Sequence, residues 1–195
     1  MKVLAVNGSP RPNGNTSIML GWVSEELTKA GVEVEIIQVG GQLIAGCKAC
    51  GVCGEKKNRR CVQDQDVVNE VIAKMLAADG LILGSPVYFS DLTPELKAVI
   101  DRAGYVSLCN GRLMTRKVGA AVVVARRAGH VHTYDSINHF FGIMGMYTVG
   151  SIYWNLGMGR GEGEVKADEE GRKTMVALGE NMAWLLALQR GEKKS

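Results

Sequence analysis

Four of the chain's five cysteines stand within fifteen residues, as Cys47-x2-Cys50-x2-Cys53 and, after seven more residues, Cys61. Thiolates at two-residue separation can wrap a loop around one iron–sulfur cubane, three of them reaching three irons and a nearby fourth completing the set. The bacterial ferredoxin run is similar, but its last cysteine precedes proline and serves another cluster. Here Val62 follows Cys61, and the longer gap lets Cys61 return to the same cluster. One structural zinc would also accept four cysteinates, and free or oxidised thiols would need no ligand at all. Cys109 lies outside the set and reads as a buried thiol.

A second group of residues suits anion binding. Gly8-Ser9-Pro10-Arg11-Pro12-Asn13-Gly14-Asn15-Thr16-Ser17 is crowded with hydroxyls, amides and glycine, carries one arginine, and feeds a helical pattern. Backbone N–H groups at a helix start attract an anion, and hydroxyls add donors. The dinucleotide fingerprint G-x-G-x-x-G is absent, and Asn15 stands where a P-loop lysine would be. A monophosphate needs neither. A turn with an ordinary helix cap would use the same residues. Two more stretches fall where strands end: residues 84–94, with Pro86, Val87, Tyr88, Phe89 and Ser90, and residues 125–130, with Arg127, Gly129 and His130. Aromatics and amides at such an edge could flank a planar ring; a plain strand-to-helix turn is the alternative.

These groups need a scaffold, and the apolar pattern supplies one. Strands are expected at residues 3–6, 32–39, 79–84, 118–125 and 147–153. Helices are expected from Ile18 to Gly31, Asp66 to Ala78, Pro94 to Gly104, Tyr134 to Met144 and Glu169 to Gln189. Strands that alternate with helices imply a parallel sheet with right-handed crossovers. The unbroken apolar runs 81–83 and 120–125 imply a sheet covered on both faces. Residues 40–65, which hold the cysteines, break the rhythm. In such sheets ligands bind beyond the carboxyl ends of the strands. The whole chain, 1–195, reads as one domain with a Cys-rich loop at about 44–65.

Ser9-Pro10-Arg11 with Asn15-Thr16-Ser17, then Ser85-Pro86-Val87-Tyr88 before Lys97 and Asp101-Arg102, and then residues 125–130, resemble the NADPH-dependent FMN reductase group of flavodoxin-like proteins. The likeness runs from residue 2 to about 155, with the three loops in the same order. It implies α/β architecture, a five-stranded parallel sheet of order 2-1-3-4-5 with helices on both faces. Ser9, Arg11, Asn15, Thr16 and Ser17 would hold the phosphate of FMN. Pro86, Val87, Tyr88, Phe89 and Ser90 would lie along the isoalloxazine, and Arg127, Gly129 and His130 would form the third contacting loop. The cysteine set between the second strand and the next helix resembles the iron–sulfur flavoproteins, a branch of that group which pairs FMN with a [4Fe–4S] cluster.

By that resemblance no side chain acts as a catalytic acid or base. Electrons would come from ferredoxin or NAD(P)H and leave to a quinone, an oxygen species or a protein. A cluster-free NAD(P)H-dependent FMN or quinone reductase is the nearest alternative, and a non-enzymatic flavodoxin-like module is a second. The family likeness also implies a homodimer or a dimer of dimers. The cations at 56–60 would favour a reduced cluster and attract an acidic donor, unless they are only a solvated loop. A net charge of +3, without a basic stripe, excludes nucleic acid. No run approaches the roughly 18 apolar residues of a membrane span, and the start reads as a strand and not a signal peptide, so a cytoplasmic protein is expected. His130 and His132 read as loop packing or a flavin contact, not a metal pair. Residues 157–163 read as a surface connection, and Trp154 as core or interface.

Overall fold

The apolar run after Met1 forms β1 (Lys2–Asn7), buried from Val3 onward. A computed structural model describes residues 1–191. It sets β1 between β2 (Glu33–Gln38) and β3 (Gly80–Pro86), all parallel, with Val3 opposite both Val34 and Gly80. Next comes β4 (Val118–Ala125), buried along its whole length. The order is β2-β1-β3-β4, with a fifth position beyond β4, as expected.

Helices cover both faces. On one, α1 (Asn15–Lys29) packs with α6 (Glu169–Gln189) over Val3, Ala5, Ile82 and Val122. On the other, α3 (Val68–Ala77), α4 (Pro94–Cys109) and α5 (His130–Met144) cover Leu4, Val6, Leu83 and Val123. A sheet buried on two sides wants continuous apolar strands, which is why β3 and β4 could be read from composition alone.

The fifth position differs from the expected single strand at 147–153. It is filled by two short strands, β5 (Tyr147–Thr148) beside Val118 and Gly119, and β6 (Leu156–Met158) beside Val123 to Ala125. Between them the chain leaves the sheet. Buried Asn155 holds this excursion, accepting from the Ser151 hydroxyl at 2.7 Å and donating to the Val149 carbonyl at 3.3 Å. Two helices also run longer than expected. α4 continues to Cys109, and α5 opens at His130 because Gly129, at φ +90°, turns the chain straight into it.

The cysteine segment is irregular apart from one short helix, α2 (Val52–Lys56), which packs against α4. Asp66, read as the start of the next helix, lies before it, its carboxylate accepting from the Val68 N–H at 3.2 Å. Among the described residues no helix is long and apolar enough to cross a membrane.

Candidate functional site

Two loops leave the carboxyl ends of neighbouring strands, one after β1 and one after β2, and each borders a concavity. The loop after β1 is held by its own polar groups. The Asn7 side chain accepts from the Ser9 N–H at 2.9 Å, and the Ser9 hydroxyl accepts from the Arg11 N–H at 3.2 Å. The Gly8 N–H donates to the Gly84 carbonyl at 2.8 Å, and the Thr93 hydroxyl donates to the Gly8 carbonyl at 2.8 Å, so the β1 and β3 ends are clamped together. α1 then opens with no side-chain cap. Among the described residues the backbone N–H groups of Asn15, Thr16 and Ser17 find no acceptor. Three converging unpartnered N–H groups at a helix start make a site for an anion.

A concavity of about 170 Å³ adjoins them. Ser9, Arg11, Asn15 and Thr16 form one wall, and Pro86, Val87 and Tyr88 another. Residues that the sequence did not single out complete it, namely Arg126 after β4 and Gly159-Arg160 after β6. Ser17, Phe89, Ser90, Arg127, Gly129 and His130 stand outside these walls. Gly129 backs the second loop, since a Cβ there would meet Val87 Cγ1 at 2.8 Å. His130 turns toward Met158, its Nε2 2.8 Å from the sulfur, and burial lowers its pKa against the opposing pull of Asp168.

Phe89 and Ser90 form the tip of a two-residue hairpin in which Tyr88 and Asp91 exchange N–H···O bonds of 2.8 and 3.1 Å. Both tip residues have positive φ, +47° and +68°, the arrangement of a type I′ turn. Glycine and asparagine are usual there, and a phenylalanine is strained.

The segment 157–163, read as a surface connection, instead lies against α1. The Asn15 side chain donates to the Gly161 carbonyl at 2.8 Å and accepts from the Val165 N–H at 3.2 Å. Gly159 permits the approach, because a Cβ would stand 2.7 Å from Asn15 Nδ2. Arg11 Nη1 reaches the Arg160 carbonyl at 3.4 Å, and Glu164 accepts from the Arg160 N–H at 2.8 Å. Backbone N–H groups of Gly161 and Arg160 hold the Glu164 carboxyl below its ordinary range. Arg11, Arg126 and Arg160 thus gather around the anion-ready helix start, and this donor set fits a phosphate.

Cys47, Cys50, Cys53 and Cys61 all line a second, narrow concavity, walled by Arg102, Tyr105 and Val106 of α4. Ala49 and Gly51, at φ +51° and +75°, turn the chain so that it winds around this space. The Ala49 N–H donates to Cys47 Sγ at 3.4 Å. Burial pushes the Cys53 thiol up, with Cys109 beside it; Cys109 Sγ would lie 3.4 Å from a Cβ at Gly54.

Polar side chains from α3 and α4 pin the loop's backbone. Asn69 accepts from the Cys61 N–H at 2.8 Å and donates to the carbonyls of Cys61 at 2.9 Å and Gln63 at 3.1 Å. Asn110 donates to the Cys53 carbonyl at 3.2 Å and accepts from the Arg59 N–H at 3.1 Å. Arg102 donates to Ala45, Gln63 and Asp66. Burial alone would raise the Asp66 carboxyl, but the Arg102 guanidinium and the N–H groups of Val68 and Ala45 outweigh it and hold it low. Burial likewise opposes the Arg102 charge, which Asp66 and the nearby Cys61 sustain.

Among the described residues no three His, Cys, Asp or Glu side chains are grouped as one bound ion needs. Tetrahedral zinc, with Zn–S bonds of about 2.3 Å, draws its sulfurs close around one point. Four thiols lining one concavity are a donor set that an iron–sulfur group uses as well as zinc does. The unpartnered, buried Nε–H of Arg102 on its wall suits an anionic group.

Residues 1–161 match the family model for NADPH-dependent FMN reductase. The chain is 35% identical to an iron–sulfur flavoprotein of Methanocaldococcus jannaschii, covering 96% of this chain and 98% of that protein. It is 36% identical to an iron–sulfur flavoprotein of Methanosarcina thermophila, over 80% of this chain and 83% of that one. Among solved structures, RosB with bound 8-demethyl-8-formylriboflavin 5′-phosphate superposes with a TM-score of 0.73 at 19% identity, over 100% of this chain and 82% of that one. A WrbA-like flavodoxin from Agrobacterium tumefaciens gives 0.65 at 17%, over 98% of this chain and 99% of that one. These two likenesses concern the fold.

Proposed function

We propose, from the premise that the chain belongs to the NADPH-dependent FMN reductase family and to its iron–sulfur flavoprotein branch, that it is an oxidoreductase carrying FMN and a [4Fe–4S] cluster. Bound FMN exchanges electrons singly or in pairs and a cluster exchanges them singly. Together they would link a one-electron donor or NAD(P)H to a quinone, oxygen-species or protein acceptor.

The chain's own groups would act by binding and positioning. The N–H groups of Asn15, Thr16 and Ser17, the Ser9 and Thr16 side chains and the guanidinia of Arg11, Arg126 and Arg160 would hold the phosphate. Pro86, Val87 and Tyr88 would set the ring beside the ends of β3 and β4. Cys47, Cys50, Cys53 and Cys61 would hold the cluster. The observation that carries the reading is that all four of these cysteines line one concavity, in a chain whose neighbouring loop offers an anion site.

Exposed Lys48, Lys56, Lys57, Arg59 and Arg60 ring the cysteines and would favour an acidic donor such as a ferredoxin. Exposed Ile152, Tyr153 and Trp154, on the excursion between β5 and β6, support burial against a second copy in a dimer or dimer of dimers.

Iron, acid-labile sulfide and flavin analysis of anaerobically purified protein tests the central reading. About four irons and four sulfides per chain beside one FMN are expected. A full flavin complement with essentially no iron would leave a cluster-free reductase. A Cys50→Ala variant that kept all its cluster absorbance would remove that residue from the ligand set.

A further inference from the structure

Among the described residues Arg102 is the one charged residue buried as a whole, at 1% exposure. It rises from α4 into the space between the two stems of the cysteine loop. Nη1 donates to the Ala45 carbonyl at 3.1 Å and to Asp66, and Nη2 donates to the Gln63 carbonyl at 2.7 Å. Ala45 stands two residues before Cys47, and Gln63 two residues after Cys61. One guanidinium therefore ties together the start and the end of the segment that carries all four thiols.

The third nitrogen behaves differently. Nε is the one buried side-chain nitrogen or oxygen among the described residues with no hydrogen-bond partner. A guanidinium in the interior normally satisfies its donors, because a buried N–H without an acceptor is costly. Arg102 also lines the concavity of the four cysteines, together with Lys48, Gln63, Tyr105, Val62 and Val106, and of its two cations it is the buried one. The donor is fixed, charged and shielded from solvent, so its field there is not screened as that of the exposed lysines is.

We propose that the Arg102 Nε–H donates to a sulfur of the anionic thiolate–iron–sulfur group held in this concavity, making Arg102 a positioning residue that raises the group's reduction potential as well as tying its loop. This rests on the cluster reading above. Hydrogen bonds to cluster sulfurs, together with charge and burial, set such potentials. The neutralising effect is larger for the more negative reduced form, so removing the donor favours the oxidised form.

The test compares wild-type protein with Arg102→Lys, which keeps a positive charge but loses Nε–H. Iron and sulfide are measured on the same samples. The expected result is a lowering of the cluster's reduction equilibrium by about tenfold, which is about 59 mV for a one-electron couple, with the FMN complement retained. An independent measurement needs no variant. Pulsed electron paramagnetic resonance of the reduced cluster, in protein labelled with guanidino-15N arginine, should show a 15N coupling and an exchangeable proton.

An iron-replete variant with unchanged potential overturns the proposal, as does an iron-replete wild-type protein without the 15N coupling. If Arg102→Lys loses its iron, the wild-type coupling decides. Wild-type protein that lacks iron overturns the cluster reading and this assignment together, so the two failures are told apart by the iron analysis.

Discussion

The side-chain amide of Asn15 donates to the Gly161 carbonyl at 2.8 Å, joining the first turn of α1 to a segment that enters the fold almost a whole chain later. Its oxygen is taken too, by the Val165 N–H at 3.2 Å. Asn15 therefore builds the far wall of the phosphate concavity, and what it offers an anion is its backbone N–H. Asn15→Asp keeps a good helix-start residue but faces the Gly161 carbonyl with a carboxylate that cannot donate. Losing this part-buried hydrogen bond costs about 1–3 kcal/mol, and the displaced Gly159-Arg160 wall passes that loss to the ligand. FMN affinity, read by fluorescence titration of the apoprotein, should fall about tenfold to a hundredfold. Unchanged affinity would mean that the wall does not touch the flavin.

Arg126 and Arg160 give a sharper test, because they distinguish phosphate from ring. Charge-assisted hydrogen bonds contribute about 1.5–3 kcal/mol each, and riboflavin lacks the group they would grip. Arg126→Gln and Arg160→Gln should each weaken FMN by about tenfold to a hundredfold and leave riboflavin nearly as before. Equal weakening of both ligands would place these arginines at the ring.

The fold was legible where burial leaves a simple trace in composition. The unbroken apolar runs of β3 and β4 report a sheet buried on both faces, and the helical spacing of Met19, Val23 and Leu27 reports one buried face of α1. The fifth strand was not legible in the same way. Residues 147–153 carry a strand-like pattern, but pairing ends at Thr148, and whether the edge resumes depends on buried Asn155, a tertiary matter. Similarly, residues 157–163 look like a loose glycine-rich loop until their contact with α1 is known; Gly157 and Gly159 are there for close approach to Met19 and Asn15. Cysteine spacing exposed the thiols, because ligand spacing is local. Asn69, Arg102 and Asn110, which hold those thiols in place, lie on or at the end of helices, six to 57 residues away in sequence from the backbone they grip. Periodicity assigns such residues to a face without naming their partners.

Asp66 predicts a pH dependence. Its carboxyl is held below the unfolded value of about 3.9, so the folded state binds fewer protons near that pH. The stabilisation is fully present above the unfolded pKa and is lost as pH falls through the lower folded one. Removing one partner of a buried pair costs about 3–5 kcal/mol, because Arg102 is left without its counter-charge. In urea unfolding, Asp66→Ala should be less stable than wild type by that amount at pH 7. The gap should hold to about pH 5 and narrow below pH 4. A gap that stayed constant into acid would show that the carboxylate charge does not stabilise the loop.

Phe89 poses the opposite case, a residue that costs stability where it stands. Its φ of +47° lies in the left-handed region, which is unfavourable for a side chain with a Cβ by about 1–2 kcal/mol. The ring is fully exposed, so no packing within the chain offsets the strain. Asparagine tolerates this conformation and suits a type I′ turn. In the flavin-free protein Phe89→Asn should therefore stabilise by about 1 kcal/mol, raising Tm by about 2–4 °C for a chain of this size. The strained, exposed ring stands next to Tyr88 of the concavity wall, where a bound ligand could meet it. If that is the flavin ring, stacking adds about 0.5–1.5 kcal/mol, and FMN should reverse the advantage, so that the loaded wild-type protein melts at or above the loaded variant. A variant that kept its higher Tm with FMN bound would mean that the phenyl ring at position 89 serves something other than the flavin.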